Sequence, residues 1–368
     1  LRAEALFQLA PTDRLNIKID ATTDKSYLST FGYSQTDRLR NEITWSRQNA
    51  SQYTEVAAVA YQSLRDNEVP ETVPFLLPDI QHRQYWTDTR FGGRFSFDAG
   101  ASAMVRIKGR DVAKASAGLT WARRFVLPAG FIAQTVVGAE SRVAITHDDP
   151  NFPTSPQALF IPLAGAELRW PLARQTEKAL HVIEPVAQIV YSDIIGNETN
   201  IPNEDSVQVE FDAANLFSLN RFPGTDRTEN GFRLNLGVNY TRIDPDGWQM
   251  AFTLGQVLRA ETTSGFSDGA GLNGVTSNIV AAGVLDLPPY LTLSNQTLFD
   301  ESLQFYRNDI QARIEYGDLA LDAAYAGKHT AVLTIDPAKR LADSLGLDQL
   351  DNEARRVSEA PFLSAGLV

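Results

Sequence analysis

Polar and apolar residues alternate along most of this chain. Phe232, Leu234, Leu236, Val238 and Tyr240 are interleaved with Arg233, Asn235, Gly237, Asn239 and Thr241. Trp248, Met250, Phe252 and Leu254 alternate with Gln249, Ala251, Thr253 and Gly255, and Leu15, Ile17, Ile19 and Ala21 with Arg14, Asn16, Lys18 and Asp20. Phe95, Phe97 and Ala99 repeat the pattern against Arg94, Ser96 and Asp98. A period of two is the signature of strands with unlike faces, not of helices. Each run is about ten residues, longer than the five or six of an ordinary globular strand.

The breaks between runs predict antiparallel hairpins. Gly317-Asp318 is a two-residue loop with Gly first, Asp244-Pro245-Asp246-Gly247 joins two clear strands, and Leu127-Pro128-Ala129-Gly130 joins another pair. Other connections are much longer: Val69 to His82, Thr146 to Gln157, Asp193 to Ser206, Glu261 to Val275, and Asp336 to Glu353. Short turns at one end and long loops at the other are the outer-membrane barrel arrangement. At about 20–25 residues per strand and connection, roughly 14–18 strands are expected. The reading is all-β: a large antiparallel transmembrane β-barrel, with long extracellular loops and short periplasmic turns.

A soluble β-sandwich also alternates. Two features favour the barrel. The polar rows, such as Arg307, Asp309, Gln311, Arg313 and Glu315, are long and highly charged, which suits a wide hydrated or protein-filled lumen. Aromatic residues also sit at strand ends. Tyr306 and Tyr316 share a face about 33 Å apart along a strand, or about 24 Å along the normal of a membrane crossed at 45°. Tyr240 and Trp248 flank one short turn and fit one interfacial girdle.

Composition then removes whole classes of function. The 368 residues carry a formal net charge of −12, no cysteine and four histidines. A nucleic-acid binder needs clustered positive charge, and neither a disulfide nor a Cys-ligated metal is available. No run approaches the roughly 18–20 apolar residues of a membrane helix; the longest is Ile279 to Leu285. The slightly negative mean hydropathy does not argue for solubility, since only every second strand residue of a barrel faces lipid. His82, His147, His181 and His329 show no metal-binding spacing and there is no nucleophile elbow, so neither an enzyme, a cofactor nor a metal is expected. His147-Asp148-Asp149-Pro150 reads as an exposed turn, and Asp193, Glu198, Glu204 and Asp205 as a solvated loop face open to divalent cations. The opening at Leu1 and the apolar ending, Ala360 to Val368, suggest that residues 1–368 are one section of a barrel domain within a longer protein.

One segment breaks the alternation: Asn203 to Arg233, NEDSVQVEFDAANLFSLNRFPGTDRTENGFR. Asn215, Leu216, Phe217, Leu219 and Phe222 read as a short helical or irregular stretch, Pro223-Gly224 as a turn, and Asp226, Arg227, Glu229 and Arg233 as alternating charges entering a strand. Irregular backbone is tolerated only outside the lipid or inside the lumen. The stretch from Asn215 to Tyr240, with its Gly224-x-Asp226-Arg227 core, resembles the barrel domain of the LPS-assembly outer-membrane protein family LptD. HVIEPVAQIVYS, His181 to Ser192, with Glu184-Pro185 before a strand, supports the resemblance. RFGGRFSFDAG and the proline-containing loop Phe75 to Gln81 are consistent with it.

The resemblance implies a Gram-negative outer-membrane barrel plugged by an LptE-like lipoprotein. A periplasmic jelly roll would precede it and receive lipopolysaccharide from a periplasmic bridge protein. The sugar would pass through the lumen and the lipid would leave through a gate between the first and last strands, both expected outside this chain. It marks Glu184, Pro185, Asn215, Phe217, Arg221, Gly224, Asp226, Arg227, Glu229 and Arg233 as motif residues facing lumen or plug. A porin or a plugged nutrient transporter would share the barrel and polar lumen, and a soluble β-rich binding domain the alternation.

Overall fold

A computed structural model describes residues 1–335 except 32, 33, 35, 208, 264, 317, 318, 328 and 329. It is a single antiparallel sheet. Its strands are β1 (Arg2–Ala10), β2 (Asp13–Asp20), β3 (Arg38–Gln48), β4 (Gln52–Ser63), β5 (Phe75–Thr87) and β6 (Arg94–Val105). Then come β7 (Asp111–Val126), β8 (Ile132–His147), β9 (Gln157–Arg169), β10 (Leu172–Gln175), β11 (Leu180–Ser192) and β12 (Gly231–Ile243). The last are β13 (Gln249–Arg259), β14 (Ile279–Leu287), β15 (Leu291–Phe299), β16 (Phe305–Tyr316), β17 (Leu319–Ala326) and β18 (Thr330–Ile335). Consecutive strands pair, with one variation. β9 and β10 lie end to end against the same neighbour, β11, because the Trp170-Pro171 step interrupts the lane.

The alternation in the sequence becomes a difference between the two faces, and it is inverted relative to a soluble protein. Phe232, Ile189 and Val137 are 54%, 50% and 55% exposed, whereas Arg233 and Asn235 are 1% and 0% exposed. Apolar side chains point away from the chain, and charged ones are covered by it. Water would penalise that surface heavily, but a bilayer accepts it. Backbone polar groups inside lipid need partners, and the continuous ladders supply them. Among the described residues no helix is long and apolar enough to cross a membrane, which says nothing of crossing by strands.

The tight turns lie at one end. In Asp244–Gly247, the Asp244 N–H donates to the Trp248 carbonyl and Gly247 adopts φ 95, a left-handed conformation that suits glycine. The segment Phe75 to Gln81 is a correction to the sequence reading: it is the start of β5, not a loop. Pro78 has no N–H to give, and the ladder absorbs it as a register shift between Leu76 and Asp79. The connection expected to end near Ser206 instead runs to residue 230, and β12 begins at Gly231. The Gly317-Asp318 turn, His329, the connection Asp336 to Glu353, the ending Ala360 to Val368 and the Tyr316 side chain lie outside the described residues.

The face assignment makes a direct prediction. Leu236→Arg, on the outward face of β12, should lower stability in lipid vesicles by about 2–4 kcal/mol. Ala251→Arg, on the opposite face of β13, should change it little. Denaturant unfolding in vesicles distinguishes the two.

Candidate functional site: a long loop folded onto the polar face

Residues 193–230 connect β11 to β12, and instead of projecting from the sheet they fold across its polar face. The first cause is apolar. Val209, Phe211, Leu216 and Phe222 of this loop are buried against Val257, Val280 and Leu298 of β13–β15, together with Ala270 and Leu272 of the 260–278 connection. Each large side chain so removed from water contributes about 1.5–3 kcal/mol. The loop contains turns with no helix in residues 213–222, so its irregular reading holds. Asn215 fixes one of those turns by a reciprocal pair: its N–H donates to Asp212 Oδ1 at 2.8 Å, and its Oδ1 accepts from the Asp212 N–H at 3.1 Å.

The wall is shaped to receive the loop. Gly237 and Gly255 are cross-strand partners. A Cβ on Gly255 would lie 2.3 Å from Leu216 Cδ2, and one on Gly237 would lie 2.9 Å from Phe217 Cζ. The two glycines therefore leave a hollow that Leu216 and Phe217 occupy. Glycine inside a strand marks this kind of close approach.

Polar contacts fix the loop at two places. In the first, Asp205 and Asp226 cap each other's backbone. The Asp205 carboxylate accepts from the Thr225 and Asp226 N–H groups at 3.1 and 3.0 Å, and that of Asp226 accepts from the Glu204 and Asp205 N–H groups at 2.8 and 3.2 Å. Lys114 Nζ of β7 reaches both, at 2.7 Å to Asp226 and 3.1 Å to Asp205. Gly224 is required here, because a Cβ would stand 2.1 Å from Asp205 Oδ1. Nearby, Arg142 of β8 donates to Thr228 Oγ1 at 2.8 Å. Arg227 donates to three backbone carbonyls, of Glu198, Asp226 and Ile201, tying two parts of the loop together.

In the second, Glu229 is fully buried among three arginines. Arg221 meets Oε2 at 2.7 Å, Arg259 of β13 meets Oε1 at 2.8 Å, and Arg233 Nε of β12 lies 3.7 Å from Oε2. One carboxylate cannot neutralise three guanidiniums, so other N–H groups turn to carbonyl oxygens, while Arg221 Nε and Arg233 Nε are buried without a hydrogen-bond partner. Arg221 donates to Leu216 O at 2.6 Å and Asn235 Oδ1 at 2.8 Å, Arg233 to Leu219 O at 2.7 Å, and Arg259 to Leu272 O at 3.2 Å. These acceptors lie in the loop, in β12 and in the 260–278 connection, and the planar guanidinium fork suits several acceptors at once.

The electrostatics follow from burial and these partners. Burial pushes the Glu229 carboxyl up, but the three arginines outweigh it and hold it below the usual range. Burial likewise opposes Asp205, yet Lys114 and the Thr225 and Asp226 N–H groups hold it well below that range. Asp226 shares Lys114 but is shifted upward, by burial that its partners do not fully offset. The two directions are compatible, since the Asp226 side chain is almost wholly enclosed and Asp205 retains solvent contact. Burial also raises Glu198, against Arg227 and the Thr228 N–H.

The structure therefore brings Asn215, Phe217, Arg221, Gly224, Asp226, Arg227, Glu229 and Arg233 into one loop assembly. It does not bring Glu184 and Pro185 there. Glu184 lies further down β11, 3.2 Å from Arg169 and 3.3 Å from Asn239, and Pro185 stands opposite Val238 on the outward face. Sequence reasoning missed Lys114, Arg142, Asn235, Arg259 and Gln188, whose side-chain amide donates to the Phe217 carbonyl at 3.0 Å. Single polar residues on alternating strands carry no mark of their partners; the strand glycines Gly237 and Gly255 were the available signal. Among the described residues no group of three or more His, Asp and Glu could hold a metal. Glu204 faces Arg106 and Arg110 at 2.8 Å each, and Asp149 faces Arg110 at 2.9 Å. Between the loop and β4–β9 lies a cavity of about 830 Å³, lined by Asp79, Arg83, Asp98, Lys114, Arg142 and Asp226 among others.

Two outcomes follow. Glu229→Gln leaves three buried guanidiniums without a counter-charge and should destabilise the fold by about 3–5 kcal/mol in denaturant titration. The pH dependence has a definite sign. Asp205 and Glu229 bind protons less readily folded than unfolded, so their stabilisation is complete above their ordinary values of 3.8 and 4.5 and is lost as pH falls below them. Asp226 and Glu198 are raised and protonate first, which relieves their burial. Protection factors against amide hydrogen exchange at 225 and 226 should therefore stay high from pH 7 to about pH 5 and fall below about pH 4.

A family model described as LptD, LPS transport system D, matches residues 1–348. The LPS-assembly protein LptD of Acinetobacter baylyi is 40% identical over 68 residues, covering 18% of this chain. That alignment spans 8% of the relative's own length.

Proposed function

The chain belongs to the LptD family, and from that premise we propose that it forms part of the wall of an outer-membrane β-barrel that assembles lipopolysaccharide into the outer leaflet. The observation that carries this reading is the pairing of an apolar outward face with a polar face that holds a folded loop and an 830 Å³ cavity. Lipopolysaccharide has the same division, a charged glycan joined to acyl chains. A conduit for it needs a wet, charged interior for the one and direct access to lipid for the other. Carrying acyl chains through water would cost about 0.8 kcal/mol per methylene, which a lateral gate in the wall avoids.

In this reading residues 1–368 are one section of a single barrel domain. The polar face is its lumen, and the acidic and basic lining of the cavity meets the glycan. The loop assembly around Asp226 and Glu229 faces the lumen and stands where a lipoprotein plug would rest, while a periplasmic domain elsewhere in the protein receives lipopolysaccharide from a bridge protein. The barrel acts by binding and guiding. No covalent step is assigned to any residue, and the loop charges of the motif hold backbone in place.

The test uses the full-length protein in cells that depend on it. Depletion should reduce lipopolysaccharide at the cell surface, measured by surface antibody labelling. Arg227→Glu should reproduce much of that loss, because reversing the charge sets a carboxylate against the carbonyls of Glu198, Asp226 and Ile201. Undiminished surface lipopolysaccharide on depletion, together with steady ion or sugar conductance by the purified protein in planar bilayers, would establish a porin or nutrient transporter instead.

A further inference from the structure

All five tryptophans of the chain stand at the short-turn end of the sheet. Trp45 and Trp86 are close to the ends of β3 and β5, and Trp121 is in the last turn-proximal part of β7. Trp170 directly follows β9, and Trp248 directly precedes β13. Register places them outward. Trp45 is opposite Leu15 and the exposed Val56. Trp86 is opposite Phe95, Phe95 opposite Trp121, and Trp121 opposite the exposed Val137, so four strands share one row. Trp170 stacks on Phe131 with centroids 4.8 Å apart. Amphipathic rings gathered at one height mark the level where hydrocarbon meets headgroup.

Arginines lie over aromatic rings at this end of the sheet, two of them tryptophans. Arg47 is 5.4 Å from the Trp45 centroid, Arg123 is 4.5 Å from that of Phe125, and Arg242 is 4.3 Å from that of Trp248. Each shares the outward face with its aromatic partner. A guanidinium held over a ring presents in-plane N–H groups at the ring's edge, and those suit a phosphodiester. Arg47 and Arg242 each also meet an aspartate, Asp13 at 2.9 Å and Asp244 at 3.3 Å. Arg123 donates to the Phe91 carbonyl and has no ion pair among the described residues.

The surrounding charge is asymmetric. Taken together, the short-turn segments 10–14, 47–52, 87–94, 123–132, 172–180 and 242–249 hold nine basic residues against five acidic ones. Arg14, Arg90, Arg124, Arg174 and Lys178 are exposed there without an ion-pair partner among the described residues. The connections at the other end carry the acidic excess behind the net charge of −12. Basic residues held beside a bilayer attract anionic headgroups within a Debye length.

We propose that the short-turn rim is a binding surface for anionic phospholipid headgroups, with Arg47, Arg123 and Arg242 contacting the phosphate and the tryptophans setting the depth. This concerns the leaflet opposite the one that receives lipopolysaccharide, and it stands independently of lipopolysaccharide delivery.

The experiment takes the full-length protein, delipidated in a neutral detergent, and offers it equimolar phosphatidylglycerol and phosphatidylcholine, with retained lipid read by native mass spectrometry. Phosphatidylglycerol should be retained preferentially, and salt should weaken the preference. It should fall about tenfold in the triple variant Arg47→Gln, Arg123→Gln, Arg242→Gln. The corresponding Lys variant, which keeps the charge but not the planar fork, should keep more of it than the Gln triple, and a control triple at the long-loop end, Lys25→Gln, Arg65→Gln, Lys108→Gln, should keep all of it. If the Gln triple loses heat-modifiable mobility on a gel and so has not folded, Arg123→Gln alone, which breaks no ion pair, should still reduce the preference. Equal retention of the two lipids, an unchanged preference in the folded rim variants, or an equal loss in the control would each overturn the proposal.

Discussion

A sheet that turns its apolar side chains outward must settle its charges on the other face, and everything else in this protein depends on how that is done. Isolated charges facing one another across a polar interior are tolerable only with water or partners. Here one long loop supplies the partners. Glu229 gathers Arg221, Arg233 and Arg259, and two of these guanidiniums also donate to Leu216 and Leu219, carbonyls of the loop's irregular backbone. The arginines need the loop as much as the loop needs them.

That mutual dependence explains how the polar and apolar contributions divide. Leu216, Phe211 and Phe222 give the loop its adhesion, through burial that has no direction. Asp205, Asp226 and Lys114 give it position, through hydrogen bonds that do. The hollow over Gly237 and Gly255 serves both, because it admits Leu216 and sets how closely the loop approaches the wall.

Much of the sheet was legible in the sequence. The run from Phe232 to Thr241 announces its own two faces, and Asp244 to Gly247 announces the turn that follows. The loop could also be recognised as an exception, since the stretch from Asn215 to Phe222 cannot be a strand that alternates. Its partners could not. Lys114 lies more than a hundred residues from Asp226 in the chain, and nothing distinguishes it from any other lysine on a strand. Phe75 to Gln81 misled for a local reason. Proline suggests a loop, but a bulge lets one strand accommodate Pro78 while its neighbours keep their ladder. Glu184-Pro185 is conspicuous in the sequence yet lies in an ordinary part of β11, because a motif's conspicuousness reflects its residues and not its location in space.

The loop leaves the sheet at β11, returns at β12, and is gripped again by Lys114 of β7 and Arg142 of β8. In mechanical terms it is a tie between non-adjacent staves of the wall. A sheet bends most easily about lines parallel to its strands, where only ladder hydrogen bonds and side-chain contacts resist. The loop also packs on β13 to β15, so it stiffens the arc from β7 to β15 against such bending and leaves β1 to β6 more compliant. Lateral strain imposed on the wall would then concentrate away from the tied arc, so a loop with no chemistry of its own can still decide where the wall yields.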